Sequence, residues 1–277
     1  MHRVSTASTS DREETVDFLE RRGMLENIWL LRFAQDAFRL PEIYQVLLCR
    51  VNEELTGVAL ISDLSNLRPL STGKRPYDYE AWMDCVDRDA VQSLVEALPP
   101  ARTGRFVLMR PVLHEYFNDL PGVGRGRTDY YFTVSPERFR PVEGEEVIEL
   151  TPADGALFEG TERAARRNPL HNLKGDTRMF AILRKGRAAT SAATRLLTRS
   201  ANTGHGVRTI DTVITESCCR NLGLGKRLVS HMTKLILAEG HAPTYWTDPD
   251  NFASQALAKA LGYWQYASEI TYLWRKP

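Results

Sequence analysis

Apolar positions along this chain alternate between a period near two and a period near 3.6, which predicts short strands interleaved with helices. Asp11 to Leu40 has helical spacing, and the polar run Met1 to Ser10 ahead of it reads as a frayed tail. Ile43 to Val51 and Leu55 to Leu64 read as strands joined at Asn52-Glu53-Glu54. Tyr77 to Val86 predicts a strand, Ala90 to Leu98 a helix and Arg105 to Met109 a strand. Leu113 to Leu120 predicts a short helix and Asp129 to Val134 another strand. Between them, Pro121-Gly122-Val123-Gly124-Arg125-Gly126 precedes a strand rather than a helix and reads as a loop. Pro136 to Gly144 reads as a linker, which divides the chain into 1–144 and 145–277.

The second part runs through a similar order. Glu145 to Leu150 predicts a strand. Thr151-Pro152-Ala153-Asp154 reads as a capped helix start, with Thr as N-cap, Pro at the first position and Asp at the third. Phe180 to Leu183 and Ala188 to Thr198 predict strands joined by Arg184-Lys185-Gly186-Arg187, and Thr209 to Thr215 predicts a third. From Gly223 the apolar positions Leu224, Leu228, Met232, Leu235 and Ile236 have helical spacing, and Gly240 ends the helix. Pro243 to Thr247 is a short strand pattern, and Asp248-Pro249-Asp250-Asn251 a turn. Phe252 to Leu261 is a helix closed by Gly262, and an aromatic strand starts at Tyr263.

The chemistry concentrates at Arg220-Asn221-Leu222-Gly223-Leu224-Gly225-Lys226, between the strand ending at Thr215 and the helix from Gly223. A strand, a glycine turn and a helix N-terminus make a polyphosphate site. Glycine lets the backbone approach the ligand, and the unpaired N–H groups and the helix dipole attract it. Arg220 and Lys226 add positive charge. Many Gly-x-Gly turns are plain strand-to-helix joints, so the elements C-terminal to the turn carry the weight.

Arg-x-x-Gly-x-Gly at 220–225, a helix, a strand, then Thr-Asp-x-x-Asn-x-x-Ser from Thr247 through Asn251 to Ser254, with Gly262-Tyr263 beyond, resembles the GNAT N-acyltransferase family. The wording around Asp248 and Asn251 resembles its FR47-like subgroup, whose members often carry an extra N-terminal lobe. The resemblance covers residues 205–274 and extends back to about residue 145. It implies an α/β chain of tandem GNAT-like lobes, each a twisted mixed, mostly antiparallel sheet flanked by helices. The lobe 1–144 would be degenerate, since it lacks Arg-x-x-Gly-x-Gly. The resemblance further implies an acyltransferase using acetyl-CoA or another acyl-CoA. Thr215 and Arg220 to Lys226 would hold the pyrophosphate end, while Asn251 and Ser254 would line the pantetheine arm.

In that family an amine attacks the thioester directly. A backbone N–H near the end of the strand stabilises the oxyanion, here around Val213, Ile214 and Thr215. Glu216 and Asp211 are candidates for the base, directly or through water. Asp248 is either a turn former beside Pro249 or part of the site. His171 and His205 lie on predicted loops and could reach the acceptor side, or simply be surface residues. The family commonly has a tyrosine, donor to the leaving thiolate, at the position of Ala258; Tyr263 and Tyr266 are nearby alternatives, or core aromatics.

Composition changes little of this. The 277 residues suffice for two domains, with 43% hydrophobic and 26% charged residues as in soluble proteins. No apolar run reaches the ~18 residues of a membrane span, and the first residues lack a signal-peptide core, so a cytoplasmic enzyme with no membrane association is expected. The four cysteines, Cys49, Cys85, Cys218 and Cys219, have no zinc-ligand spacing, and no metal is expected. Cys218 and Cys219, just before the glycine turn, are either a thiol activated by the helix N-terminus or small residues packing in a loop.

Charge is uneven. Residues 1–144 hold 18 basic and 22 acidic residues, and 145–277 hold 18 and 13. Arg163 to Arg208 contains eleven basic residues against the single acid Asp176. Part of this is the charge that protects strand edges. The excess leaves room for a larger anionic donor, a transfer RNA (tRNA) or a carrier protein. Three functions therefore stand: acyl-CoA-dependent transfer to a small amine, aminoacyl-tRNA-dependent or carrier-dependent transfer on the same fold, or acyl-CoA binding without catalysis.

Overall fold

The computed structural model describes residues 2–64, 77–100, 102–144, 146–162, 170, 173, 175–200 and 202–276. Chain contacts divide it into two compact units, Met1–Asp129 with Ala267–Pro277, and Tyr130–Tyr266. No helix among the described residues is long and apolar enough to cross a membrane.

In the first unit the strands are β1 (Arg3–Thr6), β2 (Tyr44–Val51), β3 (Glu54–Asp63), β4 (Tyr79–Cys85) and β5 (Thr103–Leu108). They lie in that order, and β5 then pairs with the end of the last strand, β12 (Trp264–Arg275), through Ile270 to Arg275. β4 and β5 run parallel and the other pairs antiparallel. Four helices accompany them: α1 (Arg12–Arg21), α2 (Ile28–Ala37), α3 (Arg88–Ala97) and α4 (Pro111–Asp119). One face of the sheet packs on α1 and α2 through Phe18, Leu19, Leu30, Leu48 and Trp82. The other packs on α3 and α4 through Val91, Leu94, Phe106, Phe117 and Tyr272.

The second unit repeats this plan. β7 (Ile148–Leu150), β8 (Arg178–Arg184), β9 (Arg187–Arg199), β10 (Gly206–Thr215) and β11 (Ala242–Thr247) lie in order. β11 then pairs with the end of β6 (Gly124–Thr133), Tyr130 to Thr133. Again only the fourth and fifth strands, β10 and β11, are parallel. Parallel strands need a crossover, supplied by α3 in the first unit and by α5 (Leu224–Ala238) in the second. α5 and α6 (Phe252–Ala260) bury Leu224, Leu228, Met232, Ala258 and Leu261 with Phe180, Ile210 and Tyr245 of the sheet.

The sixth strand of each unit comes from outside its own consecutive sequence. β6 comes after the first unit's other elements yet ends beside β11, while the end of the chain completes the first unit beside β5. The units therefore do not separate at one cut near residue 144. Strand propensity predicts a strand at Asp129 to Val134, within or next to β6, but it carries no mark of its partner.

Four local expectations change, the first at the glycine-rich loop, of which Gly124 to Gly126 already belong to β6. The tail is not frayed: Arg3 to Thr6 pair with Arg50 to Leu47, and Val4 packs against the core. Four residues are too few for a visible alternation, yet they cover the edge of β2. The helical run from Asp11 breaks at Gly23, whose φ of +119° suits glycine, and resumes at Ile28. Thr151 caps as expected, accepting from Ala153 N–H, but it opens the 3-10 turn Pro152–Phe158 rather than an α-helix.

Asp84, wholly buried near the end of β4, anchors the first unit. Arg22 donates to both its oxygens at 2.9 Å, Arg110 Nε lies 2.7 Å from Oδ1, and Asn27 Nδ2 donates at 2.8 Å. Arg110 also donates to the carbonyl of Arg22. One carboxylate is thus shared by two guanidinium groups that are largely out of water. Its removal leaves them unpaired, which costs about 3–5 kcal/mol. Asp84→Ala is expected to lower amide hydrogen-exchange protection across β2–β4 by that amount; a loss below about 1 kcal/mol would show that the cluster does not anchor the unit.

Candidate anion-binding site

β10 and β11 pair in parallel only from Val207–Ala242 to Ile210–Tyr245, although β10 continues to Thr215. The break coincides with a bulge. Against β9, Asp211 pairs with Ala193 but Ile214 with Ser191, so β10 carries one extra residue. Thr212 takes φ +50° there, a strained conformation for a β-branched side chain. A bulge bends its strand and increases its twist, which turns Asp211 to Thr215 away from β11. Val213, Ile214 and Thr215, the expected oxyanion region, are partly exposed along that edge.

The acidic candidates support this shape. Asp211 accepts from Thr212 Oγ1 at 2.9 Å and lies 3.5 Å from Arg195 Nε, so it braces the bulge. Glu216 Oε2 accepts from Glu162 N–H at 2.9 Å, and Glu162 Oε1 accepts from Ser217 N–H at 2.9 Å. This reciprocal pair ties residue 162 to the end of β10. Glu162 also approaches Arg220 NH2 at 3.4 Å, and Arg220 Nε donates to Thr215 O at 3.3 Å. Sequence reading missed Thr212 and Glu162. A threonine in a strand looks ordinary, and nothing near Glu162 announces a partner 54 residues on.

After the 3-10 turn Ser217–Cys219 the backbone enters the glycine turn, with φ +62° at Asn221 and +75° at Gly223, the N-cap of α5. Gly223 has no side chain to cap the helix. The first helical bond runs from Arg227 N–H to Gly223 O, 3.1 Å. Among the described residues, the N–H groups from Asn221 to Lys226 have no acceptor. A Cβ on Gly223 would meet nothing within 4 Å, so the turn is open on that side. Leu222 is exposed and Leu224 buried, which orients the turn outward. Gly225 serves packing: a Cβ there would sit 3.3 Å from Thr215 Oγ1 and 3.5 Å from Leu257 Cδ1. Lys226 makes no ion pair among the described residues. Six N–H groups without acceptors, a helix dipole and cations at both ends of the turn fit a phosphate-bearing ligand.

The corresponding crossover in the first unit is built oppositely. Asp87 caps α3 and accepts from Ala90 N–H at 2.8 Å, with Asp89 in the first turn. β4 and β5 also part early, after Trp82–Val107, but there the buried Asp84 joins Arg22 and Arg110. Carboxylates occupy the place of the open donors, so this helix start repels an anion.

Asn251 caps α6, its Oδ1 accepting from Ser254 N–H at 3.1 Å, and remains exposed. Ser254 Oγ lies 2.5 Å from Tyr245 Oη, on the last β11 residue paired with β10. Burial raises the pKa of Tyr245. Sequence reading named Ser254 but not this partner, since strand alternation alone does not show which helix covers Tyr245. Asp248 is exposed, and its carbonyl accepts from Asn251 N–H at 3.1 Å, as a turn former does. Ala258 is fully buried in the core. Tyr263 is buried too, bonded to Thr233 Oγ1 at 2.7 Å with its pKa raised by burial, which leaves it a core residue. Tyr266 is half-buried, edge-on to Tyr131.

His205 precedes β10, the length of that strand from the glycine turn, about 30 Å. His171, Arg163, Arg166, Arg167 and Lys174 lie outside the described residues. Of the remaining basic stretch, Arg178 pairs with Glu149 and Glu239, Arg195 with Asp211, and Arg208 with Asp176 and Glu239. The pKa of the Cys219 thiol is raised, first by hydrogen bonding to Cys218 and then by burial, the opposite direction to an activated thiol. Among the described residues no group of His, Cys, Asp and Glu could hold a metal ion.

The family model for FR47-like protein matches residues 188–274, from β9 through β12. A Drosophila protein of solved structure is 13% identical, with 98% of this chain and 97% of that one covered and a TM-score of 0.61. An acetyltransferase of the GNAT family from Colwellia psychrerythraea is 12% identical over 99% of this chain and 100% of its own, with a TM-score of 0.58. A tandem GNAT protein from the clavulanic acid biosynthesis pathway is 12% identical over 99% and 98%, with a TM-score of 0.54. No curated protein sequence matches. Residues 188–274 form an FR47-like domain, and the chain as a whole has the tandem GNAT fold.

Proposed function

We propose that this protein is an acyl-CoA-dependent N-acyltransferase, with acetyl-CoA as the first donor to test and a small amine as acceptor. The observation that carries this reading is the row of N–H groups from Asn221 to Lys226 without acceptors, opening beside a strand edge that β11 has left. Bound acyl-CoA supplies a thioester carbonyl open to an amine. The turn holds the diphosphate by backbone N–H donors, with Arg220 and Lys226 beside it. The exposed edge at Val213 to Thr215 offers fixed donors to a developing oxyanion. Asn251 and Ser254, at the start of α6, provide polar contacts for the arm. Asp211 and Glu216 are engaged in hydrogen bonds, so either would take a proton through water rather than by direct contact. The ion pairs of Arg178, Arg195 and Arg208 consume part of the basic stretch, which favours a free CoA donor over a tRNA or carrier protein.

Calorimetric titration with acetyl-CoA tests this reading. Wild type is expected to bind with a shallow salt dependence, and Lys226→Glu to bind about tenfold more weakly, ~1.4 kcal/mol. Absence of binding, together with steeply salt-dependent binding of tRNA, would overturn the CoA reading. Binding without turnover on any amine would leave a binding protein instead of an enzyme.

The two glycines are expected to respond differently. Gly225→Val forces a branched side chain against Thr215 and Leu257, and overpacking of that kind costs about 1–3 kcal/mol. Gly223→Ala meets no neighbour and costs only the strain of an L residue at φ +75°, about 1 kcal/mol. Hydrogen exchange in α5 measures both; equal losses would contradict the packing role of Gly225.

A further inference from the structure

Two of the four cysteines stand apart from the other two. Cys49 and Cys85 are fully buried, each opposite Gly57 on neighbouring strands. Two strand spacings separate them by about 9–10 Å, beyond the ~7 Å limit for a disulfide. Burial also raises the pKa of both thiols. Cys218 is exposed and Cys219 half-exposed, and their sulfurs lie 3.6 Å apart. Both belong to the 3-10 turn Ser217–Cys219, which joins the end of β10 to the glycine turn.

We propose that Cys218 and Cys219 are a redox modification site, closing under hydroperoxide to a reversible disulfide between adjacent residues that weakens the neighbouring anion site. The exposed Cys218 thiolate attacks the terminal hydroxyl oxygen of the peroxide; the O–O bond breaks and the other oxygen leaves as an alcohol or water after taking up a proton. Cys218 becomes a sulfenic acid. The Cys219 sulfur then attacks the Cys218 sulfur, an S–S bond forms, the S–O bond breaks, and hydroxide departs as water with the Cys219 proton. Two thiols and one hydroperoxide give one disulfide, one water and one alcohol (a second water from hydrogen peroxide).

The chain geometry sets both the reversibility and the consequence. Adjacent Cα atoms stay about 3.8 Å apart across a trans peptide, short of the ~4.4–6.8 Å of ordinary disulfides. The ring is therefore strained, and strained disulfides are the readily reduced ones. Bringing the sulfurs from 3.6 Å to about 2.05 Å turns the backbone of the very residues that hold this bend. Cys219 N–H donates to Glu216 O at 2.8 Å, and Arg220 N–H to Ser217 O at 3.3 Å. Disturbing these bonds moves Arg220 and the donors from Asn221 onward. This second part rests on the proposed CoA reading; formation of the bond does not.

The test treats wild type, Cys218→Ser and Cys219→Ser with tert-butyl hydroperoxide, then counts thiols in denaturant and weighs peptides by mass spectrometry. Wild type is expected to drop from four thiols to two, to lose two hydrogens within the peptide holding residues 218 and 219, and to recover all four with dithiothreitol. Neither variant should form an intramolecular bond. Advance of Cys218 to sulfinic acid without a bridge, or bridging only between molecules, would overturn the assignment. Acetyl-CoA affinity of the oxidised form is expected to be at least about fivefold weaker, ~1 kcal/mol. Equal affinity in the two forms would overturn the coupling, whereas failure of the reduced protein to bind would count against the CoA reading alone.

Discussion

At Thr212 the backbone of β10 is held at φ +50°, which costs a β-branched residue on the order of 1–3 kcal/mol. The surroundings maintain it. Asp211 accepts the threonine hydroxyl and faces Arg195, while Thr190 on β9 bonds both Ile214 O and Thr215 Oγ1 just beyond. The extra residue bends β10 where its pairing with β11 stops. The open edge, the direction in which the chain leaves Thr215 and the outward setting of the glycine turn all depend on that bend. Strain of this kind persists where the structure around it over-determines the conformation.

The two units show how one topology supports opposite electrostatics. Both carry four strands, a crossover helix and a parallel partner that parts early. In the second, a capless glycine leaves the helix donors open. In the first, Asp87 caps the helix and Asp84 sits between Arg22 and Arg110 where the strands part. A few side chains decide whether the same crossover attracts a phosphate or becomes a stability element. Shared topology therefore does not fix what a crossover binds.

Much of this was legible in the sequence because local signals are strong in the second half. Gly223, Gly240 and Gly262 all take positive φ and mark helix ends as expected. Asn251 caps α6, and helical spacing identified Leu224, Leu228 and Met232 as buried. What could not be read depends on distant partners. The pairing of β6 with β11, the edge strand Arg3–Thr6 and the Glu162–Glu216 tie join residues from 41 to more than 100 positions apart. Thr212 was hidden for another reason: its residue type favours a strand, and only tertiary structure places it at positive φ. The basic stretch looked like one patch, because its acidic partners Glu149, Asp211 and Glu239 lie elsewhere in sequence or on other elements.

If the donors from Asn221 to Lys226 form an anion site, as proposed, and the start of α3 does not, CoA perturbs the first helix start and leaves the second alone. Amide NMR of the perdeuterated chain during titration with CoA tests it most directly. Large shifts are expected only at amides near residues 221–226 and the neighbouring start of α6, with Arg88 to Val91 of α3 unmoved. Shifts centred on Arg88 to Val91, or none at residues 221–226 at saturating CoA, would contradict it.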